Sequence, residues 1–416
     1  MYTWRVRTVT EEELGRLFAA LPPDPRVVAG GNGATPRHVL AVLDAEVPAY
    51  RLFMLNAHPG VPTRPGVVHE TPFVGPGMRR SPTLSYLPAR LSLVPTMFAT
   101  ATPPDVVCVT VAPAVDGRLS LGTEVNVLPA AIEACRARGG LVVAQVNSQM
   151  PWTYGDAVLD PAAVDVCLEV EAALDEPSTA EPDDAARRIG ELVAARVGDG
   201  ATLQLGIGMV PDATLPGLAQ RRGLAVWSEM FSDGVLDLDR SGALDPDAVL
   251  TASFVYGSAA LYSWLHCNPR VRMMRTETTN APALIAANRA MTSINTALQV
   301  DLFGQANASR IDARIHSGFG GQTDFIVGAL HSAGGQAVMA LRSWHPKADV
   351  STVVALLDEP VTSFQHTAVV TEQGVAEIFG HDERSQAAQV IENAAHPRVR
   401  EELWEEAFAL GLAART

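Results

Sequence analysis

Residues 106–146 read VVCVTVAPAVDGRLSLGTEVNVLPAAIEACRARGGLVVAQV, and this stretch decides the fold class. It begins and ends with apolar, β-branched runs, Val106–Ala112 and Leu141–Val146, which are typical of strands buried on both faces. Between them, Ala130–Arg138 has the apolar spacing of a helix. Two strands joined by a helix predict a parallel sheet with crossover helices, and therefore an α/β fold.

The same alternation continues on both sides of this stretch. Upstream, strands are predicted at Val27–Gly30 and Arg51–Leu55, with a helix at Thr35–Leu43 between them. Downstream, helical spacing over Ala185–Val197 precedes further apolar runs. These runs predict strands at Thr202–Leu205, Leu224–Trp227, Val249–Val255 and Ala297–Leu302. Both halves of the chain are therefore expected to be α/β.

The length of 416 residues is too great for one hydrophobic core, because domains usually contain roughly 100–200 residues. The stretch Asp175–Asp184, DEPSTAEPDD, combines acidic residues, serine and proline without apolar periodicity, so it is the predicted linker. We expect an N-terminal domain over residues 1–180 and a C-terminal domain over residues 185–416.

The composition excludes several classes of protein. With 47% hydrophobic and 19% charged residues, the chain is neither disordered nor fibrous. Its formal net charge is −15 and no run of Lys or Arg offsets it, so nucleic acid and anionic membranes are not expected partners. The N-terminus lacks the apolar core of a signal peptide, and the apolar stretches are shorter than the ~20 residues that span a bilayer.

The cysteines and the basic residues add two observations. Four cysteines lie far apart without the spacing of a metal site: Cys108, Cys135, Cys167 and Cys267. Reduced thiols in a cytoplasmic protein are the simplest interpretation. The chain contains a single lysine, Lys347, and the base composition of the gene is the simple explanation for it.

Three loops of the second half carry polar or glycine-rich motifs. They are LGIGMVPDA at Leu205–Ala213, WSEMFSDG at Trp227–Gly234 and SGFGGQTDF at Ser317–Phe325. Each follows, or is expected to follow, a strand. Because ligands of open α/β sheets bind at the carboxyl ends of the strands, these loops are expected to share one crevice.

The glycines of these loops suit anionic groups. Gly206 and Gly208 lie where a strand gives way to a helix, and exposed N–H groups there would bind an anion, although a plain tight turn is the alternative. Gly320 and Gly321 precede an apparent helix, so that a backbone N–H can approach a reacting carbonyl as in an oxyanion hole. The alternative is a glycine turn with Asp324 as a helix cap.

Glu229 follows the apolar run Leu224–Trp227 and precedes a turn, so its carboxylate is expected at the C-terminal end of a strand. A carboxylate there can act as a base, a metal ligand or a nucleophile, or it is simply solvated. No HExxH, DxDxDG or histidine pair accompanies it, which disfavours a metal, and no GxSxG indicates a serine hydrolase.

Together the motifs resemble one known family. WSEMFSDGVLDL, SINTALQVDLFGQANAS, SGFGGQTDF, VTEQGVAEIFG and AAHPRVREEL occur in the order and spacing of the acetyl-CoA hydrolase/transferase family, which includes 4-hydroxybutyrate and acetate or succinate CoA-transferases. GGNGATP at Gly30–Pro36, HETPFVG at His69–Gly75 and VNSQMPWTYGD at Val146–Asp156 are similar to its N-terminal domain.

The resemblance implies two related open-sheet α/β domains with the active site between them, and a homodimer. It implies that Glu229 is the nucleophile, which attacks an acyl-CoA to give a glutamyl anhydride and then a glutamyl-CoA thioester. Coenzyme A is then a substrate, and no cofactor or metal is expected. An ordinary glutamate pKa near ~4.3 would keep this carboxylate ionised at neutral pH.

The resemblance also implies roles for other residues. Gly321, with its neighbour Gly320, would supply the oxyanion donor. Asn295 and Glu372 match positions that line the active site; the alternatives are a strand-edge hydrogen bond for Asn295 and, for Glu372, a helix N-terminal acid before Val375–Ile378. The residues expected to contact CoA are Gly206, Ile207, Gly208, Met209, Val210, Ser317, Gly321, Gln322 and Lys347.

Further residues are expected in the walls of the site. His69 and Asn147 are candidates for the wall between the domains. An apolar acyl pocket, or alternatively the core, would be formed by Trp152, Tyr154, Met230 and Phe231.

One region departs from the family. RSWHPKADVSTVVALL, from Arg342 to Leu357, replaces a Pro-Ser-Thr segment and a Ser-Arg-Ile-Val-Pro stretch of many relatives, and VTSFQ at Val361–Gln365 replaces their VTTSR. Lys347 lies in this altered segment, near where some relatives place a lysine that contacts CoA. Its ammonium would suit a phosphate, or it is a solvated loop lysine.

Three functions follow from these observations. The first is an acyl-CoA:carboxylate CoA-transferase that acts on short carboxylic acids. The second is an acyl-CoA hydrolase, in which water resolves the intermediate. The third is a non-catalytic acyl-CoA-binding protein.

Overall fold

The structure, a computed structural model, describes residues 6–177, 181–206, 208–361 and 365–414. It divides into two compact units. The first comprises the described residues up to Pro177 together with Val249–Thr279, and the second comprises the rest. The first unit thus ends inside the expected linker, and the segment Val249–Thr279, expected in the C-terminal domain, packs in the first unit.

The first unit is built on an open parallel sheet, which confirms the α/β fold class. Its strands, from one edge to the other, are Arg7–Thr8, Val166–Val170, Leu141–Asn147, Val106–Val115, Arg26–Ala29, Tyr50–Phe53, Val67–Thr71 and Leu84–Tyr86. All neighbouring pairs in this order are parallel. The two runs that decided the fold class lie side by side at its centre, and Val107, Val109 and Val143 are fully buried there.

Helices and short strands complete the first unit. The α-helices are Glu11–Ala19, Arg37–Glu46, Val94–Ala99, Leu128–Ala137, Ala259–Leu265 and Thr276–Thr279, with 3₁₀ turns at Leu91–Leu93 and Pro161–Ala163. The remaining strands are Arg118–Ser120, Val158–Leu159, Leu250–Ala252, Phe254–Val255 and Val271–Met273. The predicted helices Thr35–Leu43 and Ala130–Arg138 are confirmed with shifted ends.

The second unit contains its own open sheet. Its strands, in order, are Ala225–Val226, Thr202–Gln204, Thr292–Asn295, Gln336–Ala340, Ala368–Thr371 and Gly374–Glu377. The neighbours are parallel except the last pair, an antiparallel hairpin. Short strands elsewhere are Met230–Phe231, Gln299–Asp301, Ala306–Asn307, Arg310–Ile311, Arg314–Ile315, Trp344–His345, Val350–Ser351 and Val353–Val354.

Helices pack around this second sheet. They are Asp184–Arg196, Met209–Leu218, Asp233–Arg240, Pro282–Ala286, Gln322–His331, Glu383–Gln389 and Arg400–Ala409, with a π-helical turn at Val390–Ala394 and a 3₁₀ turn at Pro397–Val399. Phe325 and Ile326 of one helix pack into a core with Met339 and Val369 of the strands. Among the described residues, no helix is both long and apolar enough to cross a bilayer.

The strand predicted at Ala297–Leu302 does not belong to the main sheet of the second unit. Ala297–Leu302 contributes only the short strand Gln299–Asp301, which pairs outside the main sheet. The main sheet instead uses Thr292–Asn295, TSIN, whose polar residues concealed it. The strand is nevertheless buried. Its Ser293 hydroxyl can be removed from water because it donates a hydrogen bond to Oε1 of Gln204 on the neighbouring strand at 2.6 Å.

A buried carboxylate fixes the Gly30–Pro36 loop of the first unit. Glu124 accepts hydrogen bonds from the backbone N–H groups of Gly31 (3.0 Å) and Asn32 (3.1 Å) and from the side-chain amides of Asn32 (3.0 Å) and Asn126 (2.9 Å). Burial raises the pKa of Glu124, and these donors oppose that effect. The loop therefore depends on one side chain distant in sequence.

We expect Glu124→Ala to destabilise the first unit by at least ~3 kcal/mol, because each buried donor left without an acceptor costs ~1–3 kcal/mol. Urea denaturation of the full chain measures the change. Glu124→Gln keeps one carbonyl oxygen and should lose less; equal losses in the two variants would contradict the assignment.

Candidate active site

Glu229 lies in the second unit between the strands Ala225–Val226 and Met230–Phe231, and its side chain is half-buried. Two donors hold its carboxylate. The side-chain amide of Asn280 donates to Oε2 at 3.1 Å, and the backbone N–H of Gly321 also donates to the carboxylate. The carboxylate is therefore fixed in position by groups from two distant parts of the sequence.

Gly321 must be a glycine for reasons of space. A Cβ atom there would lie 1.9 Å from Oε2 of Glu229 and 2.2 Å from Nδ2 of Asn280. The φ of −95° is open to any residue, so conformation is not the constraint. The close approach brings the N-terminus of the helix Gln322–His331, which begins after Gly321, against the carboxylate.

A buried serine joins the first two loops. The Ser228 hydroxyl accepts from the backbone N–H of Leu205 (3.3 Å) and donates to its carbonyl (3.1 Å). Leu205 also forms an antiparallel bridge with Met230. The glycine loop that starts at Gly206 therefore leaves the sheet beside Glu229, and contacts of Glu229 itself add the Ser317–Phe325 loop. The structure thus brings residues of all three loops together.

The electrostatics of Glu229 differ from the sequence-based expectation. Burial is the main cause that raises its pKa, and the nearby carboxylate of Asp324 adds to that effect; the hydrogen bonds from Asn280 and Gly321 lower it, and the net pKa is about 7. Asp324 is itself buried in the first turn of the helix that begins at Gln322. The expectation of an ordinary glutamate pKa is therefore wrong, because a sequence does not reveal desolvation.

The first glycine loop has the conformation of a helix entry. Gly208 has a φ of +121°, which favours glycine, and is the N-cap of Met209–Leu218. The backbone N–H of Asp212 donates to the Gly208 carbonyl at 3.0 Å, and Val210 lies in the first turn. Of the other expected CoA contacts, Ile207 and the side chain of Met209 lie outside the described residues.

Asn295 belongs to a polar network at the end of its strand. Its amide donates to Oγ of Ser293 at 2.7 Å and to Oε1 of Gln204 at 3.3 Å. The adjacent Thr296 carbonyl accepts from the Gln322 side chain at 3.1 Å. The hydrogen bonds of Asn295 thus agree with the strand-edge alternative, and its role in the reaction stays a prediction.

Glu372 is tied to the altered segment. Its carboxylate accepts from the Ser343 hydroxyl and, at 3.0 Å, from the Ser343 backbone N–H. The alternative interpretation, a helix N-terminus, is wrong because Gly374–Glu377 is a strand that pairs back onto Ala368–Thr371. A short glycine-containing turn closes the hairpin. The apolar spacing of Val375–Ile378, which suggests a helix in the sequence, belongs to this strand.

Lys347 lies in an exposed turn, and Ser317 lies in the loop between the strand Arg314–Ile315 and the helix Gln322–His331. Lys347 is exposed in the turn of the hairpin formed by Trp344–His345 and Val350–Ser351. Ser317 donates through its hydroxyl to the Ala308 carbonyl at 2.7 Å. Residues 362–364 of the altered VTSFQ stretch lie outside the described residues.

The wall candidates are buried within their own units. His69 bonds to Ser81 and to the Pro62 carbonyl, both at 2.7 Å, and Asn147 donates to the Ala172 carbonyl at 2.9 Å. Trp152 lines a cavity of about 500 Å³ in the first unit. Other acyl-pocket candidates have packing roles: the Arg272 guanidinium stacks over Tyr154, and Met230 and Phe231 are buried in the second unit.

Two observations complete the site. The described residues contain no cluster of three or more His, Cys, Asp or Glu side chains placed to hold a metal. Asn280 cannot be recognised from the sequence, because it follows the polar run Thr276–Thr279 and no motif distinguishes it from an ordinary turn residue. Only the fold brings it to Glu229.

Comparison with known proteins identifies relatives of both units. Residues 39–173 match the family model of the acetyl-CoA hydrolase/transferase N-terminal domain, and residues 257–407 match that of the C-terminal domain. The 4-hydroxybutyrate coenzyme A transferase of Clostridium kluyveri is 37% identical over 353 residues, which are 81% of each chain. Further relatives are named as CoA-transferases for other carboxylic acids or as acetyl-CoA hydrolases.

Solved structures with the same fold are similar over almost the whole chain. RipA from Yersinia pestis has a TM-score of 0.91 and 25% identity, with 98% of both chains covered. A 4-hydroxybutyrate CoA-transferase from Porphyromonas gingivalis has a TM-score of 0.81 and 30% identity, with 97% of this chain and 98% of that chain covered.

The raised pKa of Glu229 has a measurable effect on stability. The contribution of Glu229 to the free energy of unfolding falls as pH rises from 4.5 to about 7, because the folded state disfavours its ionised form. We expect Glu229→Gln, which cannot ionise, to be more stable than wild type at about pH 8 by on the order of 2 kcal/mol, with little gain at about pH 5. Urea titrations at both pH values test this.

Glu401→Gln is the control, because it also removes one negative charge but at an exposed position. A stabilisation of Glu229→Gln that is the same at both pH values would contradict the raised pKa.

Proposed function

Because the chain belongs to the acetyl-CoA hydrolase/transferase family, we propose that it is an acyl-CoA:carboxylate CoA-transferase for short carboxylic acids, with Glu229 as its nucleophile. The single observation that carries this proposal is the Glu229 carboxylate held between the Asn280 amide and the Gly321 backbone N–H. A carboxylate held in this way has a fixed direction of attack.

The proposed reaction begins with attack of the ionised Glu229 on the thioester carbonyl of an acyl-CoA. This forms an acyl-glutamyl anhydride and releases CoA as its thiolate. The thiolate then attacks the glutamyl carbonyl, releases the first carboxylic acid and leaves a glutamyl-CoA thioester. A second carboxylate attacks this thioester, and the same steps in reverse deliver the new acyl-CoA.

The surroundings of Glu229 suit these steps. A carboxylate whose pKa is near 7 is a better nucleophile than an ordinary one, yet a large part of it is ionised at neutral pH. Each step develops an oxyanion, and one preorganised donor contributes about 3–4 kcal/mol. Gly321 is the proposed donor, with Gly320 shaping the turn through its φ of +55°.

Hydrolysis is the second candidate function, because some relatives are named acetyl-CoA hydrolases. The two reactions share the nucleophile and differ only in whether a carboxylate or water resolves the intermediate. The proposal also includes a homodimer and a cytoplasmic location. It further includes contacts of CoA with residues 206–210, Ser317, Gln322 and Lys347.

We expect Glu229→Ala to lower kcat for CoA transfer by at least on the order of 10⁴-fold, since the covalent route is lost. CoA exchange between an acyl-CoA and a panel of short carboxylates measures this, with Glu401→Gln as the control. Borohydride reduction after exposure to acyl-CoA, followed by peptide mass analysis, should detect the modification at Glu229. Undiminished transfer by Glu229→Ala contradicts the proposal, and full-rate thiol release without an acceptor indicates a hydrolase.

For Lys347→Ala we expect CoA to bind about fivefold more weakly at low salt, since an exposed charge contact contributes up to ~1 kcal/mol and is screened by ions. Equilibrium titration with CoA at two salt concentrations tests it. Arg187→Ala removes an exposed cation elsewhere and is the control. If Lys347→Ala leaves the affinity for CoA unchanged, Lys347 is a solvated residue of the turn and does not contact CoA.

A further inference from the structure

The first unit contains a cavity of about 500 Å³ that has no place in the proposed reaction. It is lined by the end of the strand Val106–Val115, by the loop that follows Leu141–Asn147 and by the helix Ala259–Leu265. Sites for small molecules usually have volumes of about 300–1,000 Å³. The cavity, which Trp152 also lines, is therefore large enough for a ligand of its own.

Hydrogen bonds hold the walls of this cavity together. The backbone N–H of Trp152 donates to Nδ1 of His266 at 3.1 Å, and the Tyr262 hydroxyl donates to the Asp175 carbonyl at 2.8 Å. These bonds join the helix Ala259–Leu265 and the residue after it to the two segments that face it. The cavity is thus formed before any ligand binds, so that a ligand need not order its walls.

Most of the lining is apolar or aromatic. Trp152 and Tyr262 contribute aromatic side chains, and Met150 and Leu174 contribute aliphatic surface. Val115 also lines the cavity and is exposed although it is apolar. A ligand with an apolar body would cover this surface and remove it from water.

The charge of the lining selects the polar end of the ligand. Among the described residues that line the cavity, Glu176 carries a negative charge and none is Lys or Arg. The Ala259 N–H donates to Oε2 of Glu176 at 3.2 Å and fixes the carboxylate there. The neighbouring Asp175 carboxylate is compensated by Arg37 at 2.6 Å. Because the whole chain has a formal net charge of −15, the cavity favours a cation over CoA or a carboxylate.

We propose that this cavity is a second ligand site, which binds a small organic cation with its ammonium group beside Glu176 and its apolar body against Trp152. The aromatic rings of Trp152 and Tyr262 suit such a ligand further, because a cation is attracted to the face of an aromatic ring. The site is separate from the proposed reaction, whose substrates are anions. Trp152 thus belongs to this site and not to an acyl pocket.

Three matched probes test the charge of the ligand: phenylpropylamine, the neutral phenylpropanol and the anion phenylpropionate. Their binding to the full chain is measured by isothermal titration calorimetry at low salt and without acyl-CoA. We expect the amine to bind about fivefold more tightly than the alcohol, the usual size of one exposed charge contact, and phenylpropionate to bind more weakly than the alcohol. Phenylpropionate binding as tightly as the amine, or no binding of the amine, overturns the inference.

Glu176→Gln identifies the charge that is responsible. It should lower the affinity for the amine about fivefold, to that for the alcohol, and leave the affinity for the alcohol unchanged. Glu401→Gln removes one negative charge from an exposed position of the second unit and is the control. If Glu176→Gln has no more effect than Glu401→Gln, the inference is wrong.

Ser263→Trp tests the location of the site. Ser263 is an exposed residue of the helix Ala259–Leu265 that lines the cavity, so a large side chain there fills the cavity without disturbing the core. We expect the amine and the alcohol to bind more weakly by at least on the order of tenfold. Ala260→Trp is the control, because Ala260 is an exposed neighbour on the same helix outside the lining.

CoA transfer by the two tryptophan variants separates this site from an acyl pocket. We expect Ser263→Trp and Ala260→Trp to transfer CoA equally fast, because the cavity takes no part in the reaction. Amine binding that Ser263→Trp leaves unchanged, or CoA transfer lost in Ser263→Trp alone, overturns the inference. The probe titrations do not depend on the proposed function, which the borohydride-trapped adduct of Glu229 tests separately.

Discussion

The second unit is organised around one partly desolvated carboxylate. Glu229 loses much of its hydration and has a neighbouring negative charge at Asp324, and both effects disfavour its ionised form. The Asn280 amide and the Gly321 N–H compensate in part. The close packing of these groups explains why one strand end, one loop and one helix start must meet at a single point, and why position 321 tolerates no side chain.

The first unit uses the same device for a different purpose. Glu124 is also a buried carboxylate that accepts from backbone and amide N–H groups, but its surroundings contain four donors and it is fully enclosed. A carboxylate saturated in this way is an anchor for a loop. Glu229 accepts from the Asn280 amide and the Gly321 N–H and remains half-buried. The two carboxylates thus differ in how completely protein donors enclose them.

Much of the fold could be predicted, because its central strands are continuous apolar runs. The strands around Val106–Ala112 and Leu141–Val146 are of this kind, and so is the run that ends before Glu229. The strand Thr292–Asn295 could not be predicted, since its polar side chains are satisfied only by a neighbouring strand. Asn280 and the raised pKa of Glu229 escaped for the same reason: both depend on contacts between residues distant in sequence. The motifs located Glu229 but not its environment.

The bond between Glu372 and Ser343 joins two neighbouring strands of the second sheet just beyond their ends, since Gln336–Ala340 precedes Ser343 and Ala368–Thr371 precedes Glu372. Ser343 is the second residue of the stretch Arg342–Leu357, and the hairpin with Lys347 begins directly after it. The tie therefore anchors the start of this stretch to the sheet. Substitutions in the hairpin beyond Ser343 thus lie outside the residues that set the register of the two strands, whose pairing ends at Ala340 and Val370.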